Sequence, residues 1–131
     1  MALIDWDDGF TSGAEELDEH AKQFVSLLNL INEDFSRGVS AGCMAALLST
    51  LASLSQFHFE YEECWMQKIH FPGLPTHRED HAAFMTRVAS SRDLPPGDLR
   101  EFLDFLSAWA RRHFSRFHAD LKPTSSAYFG R

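Results

Sequence analysis

The sequence has few of the features that would direct a chain to a membrane, to nucleic acid or to an oxidising compartment. No apolar run approaches the roughly 20 residues of a membrane-spanning helix, and the acidic N-terminal stretch "MALIDWDDGF" is unlike a signal peptide. The 12 lysines and arginines against 19 aspartates and glutamates give a net charge of −7, which argues against binding to phosphate backbones. The two cysteines, Cys43 and Cys64, cannot build a disulfide framework. We therefore expect a cytoplasmic protein with no membrane and no nucleic-acid partner.

The sequence also lacks β-type alternation of useful length, whereas helical periodicity runs through most of it. The 131 residues, of which 44% are apolar, fit one domain over residues 1–131. Apolar spacing predicts helices over about 17–35, 41–69 and 76–90 and a fourth from Asp98, with Thr76 and Asp98 as capping residues and "KPTSSAYFGR" as a tail. Short connections favour antiparallel neighbours, so the predicted fold is an all-α, antiparallel up-down-up-down four-helix bundle.

Seven histidines are the unusual part of the composition, and most of them lie at helical spacings. The second helix carries His58 and Glu62 four residues apart, the third carries His77 and His81 four apart, and the fourth carries His113. Each pair alone is more often a surface pair or a hydrogen-bonded core residue than a ligand set. Together they would be costly to bury without partners, and a bound metal removes that cost. Imidazole with carboxylate suits iron, zinc or copper, and a bridging carboxylate is typical of diiron sites in bundles.

Five segments occur in an order and at spacings that are specific: "WDDGFTSG", "LDEHAKQFVSLLN", "HFEYEECWM", "FPGLPTHREDH" and "WARRHF". With them the sequence resembles the bacterial hemerythrins over nearly its whole length. The resemblance implies a four-helix bundle with a non-haem diiron site that binds dioxygen reversibly. It implies that His77, His81 and His113 bind one iron, that His58 binds the other, and that Glu62 bridges the two.

Two positions depart from the pattern of that family. The family's ligand histidine of the first helix falls on Ala21, and its neighbour His20 is rotated by about 100° on a helix. The family's second bridging aspartate falls on His118, within "HFSRFHAD". Either the first helix shifts so that His20 binds metal, or His118 supplies the imidazole that Ala21 lacks. We favour His118, which keeps five imidazoles and leaves Glu62 as the one bridging carboxylate.

Three functions remain open at this point. The resemblance favours a protein that binds dioxygen or another small diatomic ligand through two irons, as a carrier, a store or a sensor with a separate signalling partner, rather than an enzyme. An iron enzyme acting on peroxide or nitric oxide is the second reading, with Tyr61, Glu63 or Cys64 as a proton donor. A bundle that holds zinc or a single iron is the third. We expect an apolar pocket at the site, for which the candidate lining residues are Phe24, Leu28, Phe57, Tyr61, Trp65, Phe84 and Trp109.

Overall fold

Helices make up most of the computed structural model, which describes residues 2–129. The long helices are α1 (Glu15–Ser36), α2 (Ala41–Lys68), α3 (Leu74–Ser90), α4 (Leu99–His113) and α5 (Ala119–Phe129). A π-helical segment, Phe114–His118, joins α4 to α5, and short 3-10 turns cover Asp8–Phe10, Ser91–Asp93 and Pro96–Asp98. Residues 2–129 contain no strand, and the predicted all-α, antiparallel up-down-up-down four-helix bundle is confirmed, with α4 and α5 together forming the fourth helix.

The helix ends follow local chemistry, although one predicted cap is wrong. Ser40 caps α2, because its hydroxyl accepts a hydrogen bond from the backbone N–H of Cys43 at 3.1 Å. The capping box predicted at Thr76 does not form, since α3 already begins at Leu74. Pro75 lies in the first turn of α3, where its missing N–H breaks no helical hydrogen bond, because N–H groups of the first turn have no carbonyl partner within the helix.

The predicted tail is also wrong as far as the structure describes it. Residues 122–129 continue the fourth helix as part of α5, even though Pro123 lies inside it. Leu121 is fully buried and packs with Met66 and Ile69 of the second helix and its end. Such packing outweighs the helix-breaking tendency of a proline. The last two residues of the predicted tail lie outside the described part of the chain.

An aromatic core fills the space between the helices. Its buried aromatic members come from all four helices of the bundle: Phe24, Phe59, Phe84, Phe102, Trp109 and Phe114. Phe24 contacts the rings of Phe59, Phe84 and Phe114 at centroid distances of 6.4, 5.6 and 5.7 Å. This rigid aromatic block lies directly against a cluster of buried histidines.

Candidate metal centre

One buried carboxylate, that of Glu62, lies at the middle of five buried imidazoles. Its Oε1 faces His81 Nε2 at 3.1 Å and His113 Nε2 at 3.3 Å, and it also contacts His77 Nε2. Its Oε2 faces His58 Nε2 at 3.1 Å and His118 Nε2 at 2.5 Å. The two oxygens of a single side chain therefore face two separate groups of ring nitrogens. We call them the three-histidine group (His77, His81, His113) and the two-histidine group (His58, His118).

Helical spacing explains how α2 and α3 present these side chains. His58 and Glu62 are four residues apart on α2, and His77 and His81 are four apart on α3. Residues at this spacing lie one turn apart on the same face. All four side chains are buried, so the helix faces that carry them point into the bundle.

The π-helical segment explains how the fourth helix contributes two histidines. His113 and His118 are five residues apart, which would separate them by about 140° around an α-helix. Hydrogen bonding from residue i to i+5 adds one residue to the turn, and such segments frequently occur at functional sites. Both rings are consequently buried, with their centroids 5.4 Å apart. Spacing alone gave no signal for this distortion.

The donor atoms have the chemistry and the closeness that metal ions require. Glu62 with the three-histidine group, and Glu62 with the two-histidine group, each place their ligand atoms within 4.8 Å of one another. Within the described residues, the buried Nε2 atom of His58, 3.1 Å from Glu62 Oε2, makes no hydrogen bond. Buried polar atoms of this kind are costly unless something else binds them. Imidazole and carboxylate donors suit iron, zinc and copper.

Comparison with known proteins agrees with this geometry. The sequence profile of the Hemerythrin HHE cation binding domain matches residues 12–124. The chain belongs to the hemerythrin family. It is 27% identical to the bacteriohemerythrin of Pseudomonas paraeruginosa over 70% of its length, a match that spans only 60% of that relative. It is also 26% identical to the bacteriohemerythrin of Clostridium acetobutylicum, over 82% of this chain and 90% of the relative.

The fold comparison gives the same family architecture. A crystal structure of a hemerythrin mutant superimposes with a TM-score of 0.83, covering 96% of this chain and 99% of the other at 19% identity. As a hemerythrin with a buried cluster of histidines around one glutamate, the protein is a metal-binding helical bundle. None of the described helices is both long enough and apolar enough to cross a membrane.

The structure separates the two histidines that the sequence offered for the vacated ligand position of the hemerythrin family. His118 is fully buried beside Glu62, whereas His20 is half-buried and belongs to neither group in the described residues. The His20 ring lies edge-on to the ring of Tyr61, with centroids 4.7 Å apart, and 6.3 Å from the ring of His58. Ala21 is fully buried. The first helix does not shift to bring His20 into the cluster.

The aromatic walls of the centre differ in part from the prediction. Phe24, Leu28, Phe84 and Trp109 are buried, as expected. Phe57 is 54% exposed, and Tyr61 and Trp65 are half-buried, because their positions on α2 turn away from the side that carries Glu62. Phe59, which the prediction left out, stacks on His81 with ring centroids 3.9 Å apart and an interplanar angle of 9°. The ring centroids of Phe114 and His118 are 4.9 Å apart.

Two carboxylates outside the cluster hold rings of the three-histidine group. Glu63 Oε2 lies 2.8 Å from His81 Nδ1, and Asp80 Oδ2 lies 3.0 Å from His113 Nδ1. Burial acts to raise the pKa of Asp80, but the hydrogen bond to His113 and the attraction to His113 and His81 together outweigh burial, and the net pKa lies below its usual value. The Asp80 contact runs between helices, so spacing along the chain did not indicate it. Glu63 therefore contacts a histidine ring, whereas the sequence had suggested it as a candidate proton donor.

Electrostatics leave Glu62 ionised and two of its partners neutral in the metal-free protein. Burial lowers the pKa of His58, and it lowers that of His77 to about 4. Burial acts to raise the pKa of Glu62, yet attraction to His118 and His113 outweighs it, so the net pKa lies well below the usual range. Burial acts to lower the pKa of His113, but attraction to Glu62 together with hydrogen bonds to Asp80 and Glu62 outweighs it, so the net pKa is raised. Binding of a metal cation would therefore need no release of a proton from His58 or His77, whereas at His113 it would displace one.

Proposed function

We propose that the protein is a non-haem diiron protein that binds dioxygen reversibly. The single observation that carries this proposal is the position of Glu62, whose Oε1 faces the three-histidine group while its Oε2 faces the two-histidine group. A carboxylate placed in this way is suited to bridge two metal ions in a bundle core. The bacteriohemerythrins among its relatives support the same reading.

In this proposal each histidine group, together with Glu62, holds one iron. His77, His81 and His113 hold the first, and His58 and His118 hold the second. The bound irons supply the electrons with which dioxygen is held. With one bridging carboxylate and five imidazoles, the protein contributes a single negative charge from these six ligands. Such a ligand set would be less anionic than one with two carboxylates.

The side chains around the centre are suited to keep water and protons away. The buried rings of Phe24, Phe59 and Trp109 lie beside histidines of the cluster. Phe84 is also buried and packs on all three of these rings. Exclusion of water protects a reactive site from side reactions and proton leakage. The nearby hydroxyl of Tyr61 donates to Glu16 at the surface and does not point into the centre. This arrangement favours binding of dioxygen over enzymatic turnover of peroxide or nitric oxide, which needs a proton donor at the metals.

One further reading of the site has a specific observation in its favour. Glu62 with the three-histidine group already supplies four donors, the number that tetrahedral zinc sites use. A protein with one zinc or one iron in that position is therefore the alternative to the diiron reading. We also propose that residues 1–131 form one domain and that the protein is cytoplasmic. The second point is supported by the free, exposed Cys43 and Cys64.

Reversible oxygenation tests the proposed function directly. The protein is loaded with ferrous iron without oxygen, exposed to air, and returned to vacuum while its visible absorption is recorded. We expect a new absorption band in air that disappears under vacuum over repeated cycles. The exposed His70 lies outside both groups, so His70→Ala is the matched control and keeps the band. A band that does not reverse, or steady consumption of added peroxide, contradicts oxygen binding and favours an enzyme.

A further inference from the structure

The two histidine groups differ in the hydrogen bonds made by the Nδ1 atoms of their rings. In the three-histidine group, His81 Nδ1 and His113 Nδ1 each meet a carboxylate, at 2.8 and 3.0 Å. In the two-histidine group, the Nδ1 atoms of His58 and His118 are buried and make no hydrogen bond within the described residues. The difference concerns the edge of each ring that points away from Glu62.

A carboxylate that is hydrogen-bonded to Nδ1 of a histidine determines which ring nitrogen is available to a metal. An ionised carboxylate can only accept hydrogen bonds, so the Nδ1 atoms of His81 and His113 must donate. When such a ring is neutral, its lone pair lies on Nε2, and the Nε2 atoms of both residues lie within 3.3 Å of Glu62 Oε1. Such outer contacts fix the tautomer and the orientation of a ligating histidine and raise its basicity.

The two carboxylates are themselves held at the helix surfaces. Glu63 accepts a hydrogen bond from Arg78 Nε at 3.1 Å, and its side chain is 23% exposed. Asp80 is equally exposed and stands on α3, so that it reaches His113 across the helix interface. Both bring negative charge close to the three-histidine group. The described residues provide no corresponding carboxylate hydrogen bond to an Nδ1 of the two-histidine group.

We propose that Glu63 and Asp80 are positioning residues that make the two metal positions unequal. The position at the three-histidine group binds metal first and tightly, and the position at the two-histidine group binds last and exchanges readily. This inference rests on the proposed two-metal function. It assigns to Glu63 and Asp80 a role in metal affinity, although neither carboxylate is a ligand. A protein with one metal is then a stable intermediate of loading.

Titration of the metal-free protein with ferrous iron, followed anaerobically by calorimetry, tests the inference. We expect two binding events whose dissociation constants differ by at least about tenfold. Asp80→Ala should weaken the tighter event by about 10–100-fold, the usual effect of removing an outer partner of a ligand, and leave the weaker event unchanged. Glu63→Gln should also weaken the tighter event, and Asp80→Asn, which keeps an acceptor oxygen, should weaken it less than Asp80→Ala.

Matched variants remove the same charge without touching a histidine. Glu79 and Glu60 are exposed carboxylates on the same two helices as Asp80 and Glu63. Glu79→Ala and Glu60→Gln should leave both events unchanged, and circular dichroism of each variant establishes that it is folded. Two equal events in the unmodified protein, or an Asp80→Ala effect no larger than that of Glu79→Ala, overturns the inference but not the two-metal site. A total stoichiometry of only one iron per chain, or no binding, overturns both proposals.

Discussion

His118→Ala is the substitution that tests the most unusual part of the centre. His118 lies where the family resemblance places a bridging aspartate, and its Nε2 is 2.5 Å from Glu62 Oε2. His58 is the other imidazole that faces this oxygen in the described residues. Removing the His118 ring leaves the second metal position with two protein donors, His58 and Glu62. The three-histidine group keeps all of its donors.

The expected size of the effect follows from this loss. Removal of an outer partner of a ligand already lowers metal affinity by about 10–100-fold, and removal of a direct ligand lowers it further. If the proposed two-metal site is correct, the iron retained after anaerobic loading and desalting should fall from about two to about one per chain, because the two-histidine group loses one of its three donors and the three-histidine group loses none. The air-dependent absorption band should disappear with the second iron.

Two comparisons make the His118→Ala result interpretable. His70→Ala removes an exposed histidine of the turn after α2 and should keep both irons. His118→Asp returns a carboxylate to the position beside Glu62 and should hold more iron than His118→Ala. A folded His118→Ala protein that retains two irons and its oxygen band refutes the reasoning, since His118 would then be a bystander.

Three further predictions concern the bridge, the metal-free protein and the last helix. Glu62→Gln should lose iron at both positions, because both groups share this carboxylate; retention of two irons in elemental analysis argues against the bridge. The metal-free protein should lose up to about 3 kcal/mol as the pH falls from about 6.5 to 4. In that range the unfolded chain protonates His77 while the folded chain, with its His77 pKa of about 4, does not; chemical denaturation that is independent of pH there contradicts this. Leu121→Ala should destabilise the protein by about 2–5 kcal/mol, since Leu121 is fully buried, whereas Leu30→Ala, at an exposed site, should change stability by less than about 0.5 kcal/mol. Equal effects in thermal denaturation would mean that the last helix is not packed as described.

Local periodicity was sufficient to predict the bundle and the arrangement of several buried histidines. Pairs four residues apart share a helix face whatever the tertiary structure is, so the His58–Glu62 and His77–His81 pairs could be read directly. His113 of the fourth helix was predicted to face the interior because it lies one helical turn after Trp109, which is buried. The structure brings these residues together in the bundle interior.

The remaining features depend on contacts between distant parts of the chain. The π-helical segment that turns His118 inward has no spacing signature, and the helix beyond it survives Pro123 because Leu121 packs on the second helix. The hydrogen bond from His113 to Asp80 joins α4 to α3. Phe57 was predicted to line the pocket because it falls on the apolar stripe of the second helix, yet it is largely exposed, since neighbouring positions of α2 supply the inward face.

The measurement that tests the account most directly is the metal content of the protein purified without chelator, determined by elemental analysis per folded chain. We predict about two irons per chain, because Glu62 places one oxygen toward each of two histidine groups. One metal per chain, or zinc in place of iron, contradicts it and means that the three-histidine group alone forms the native site.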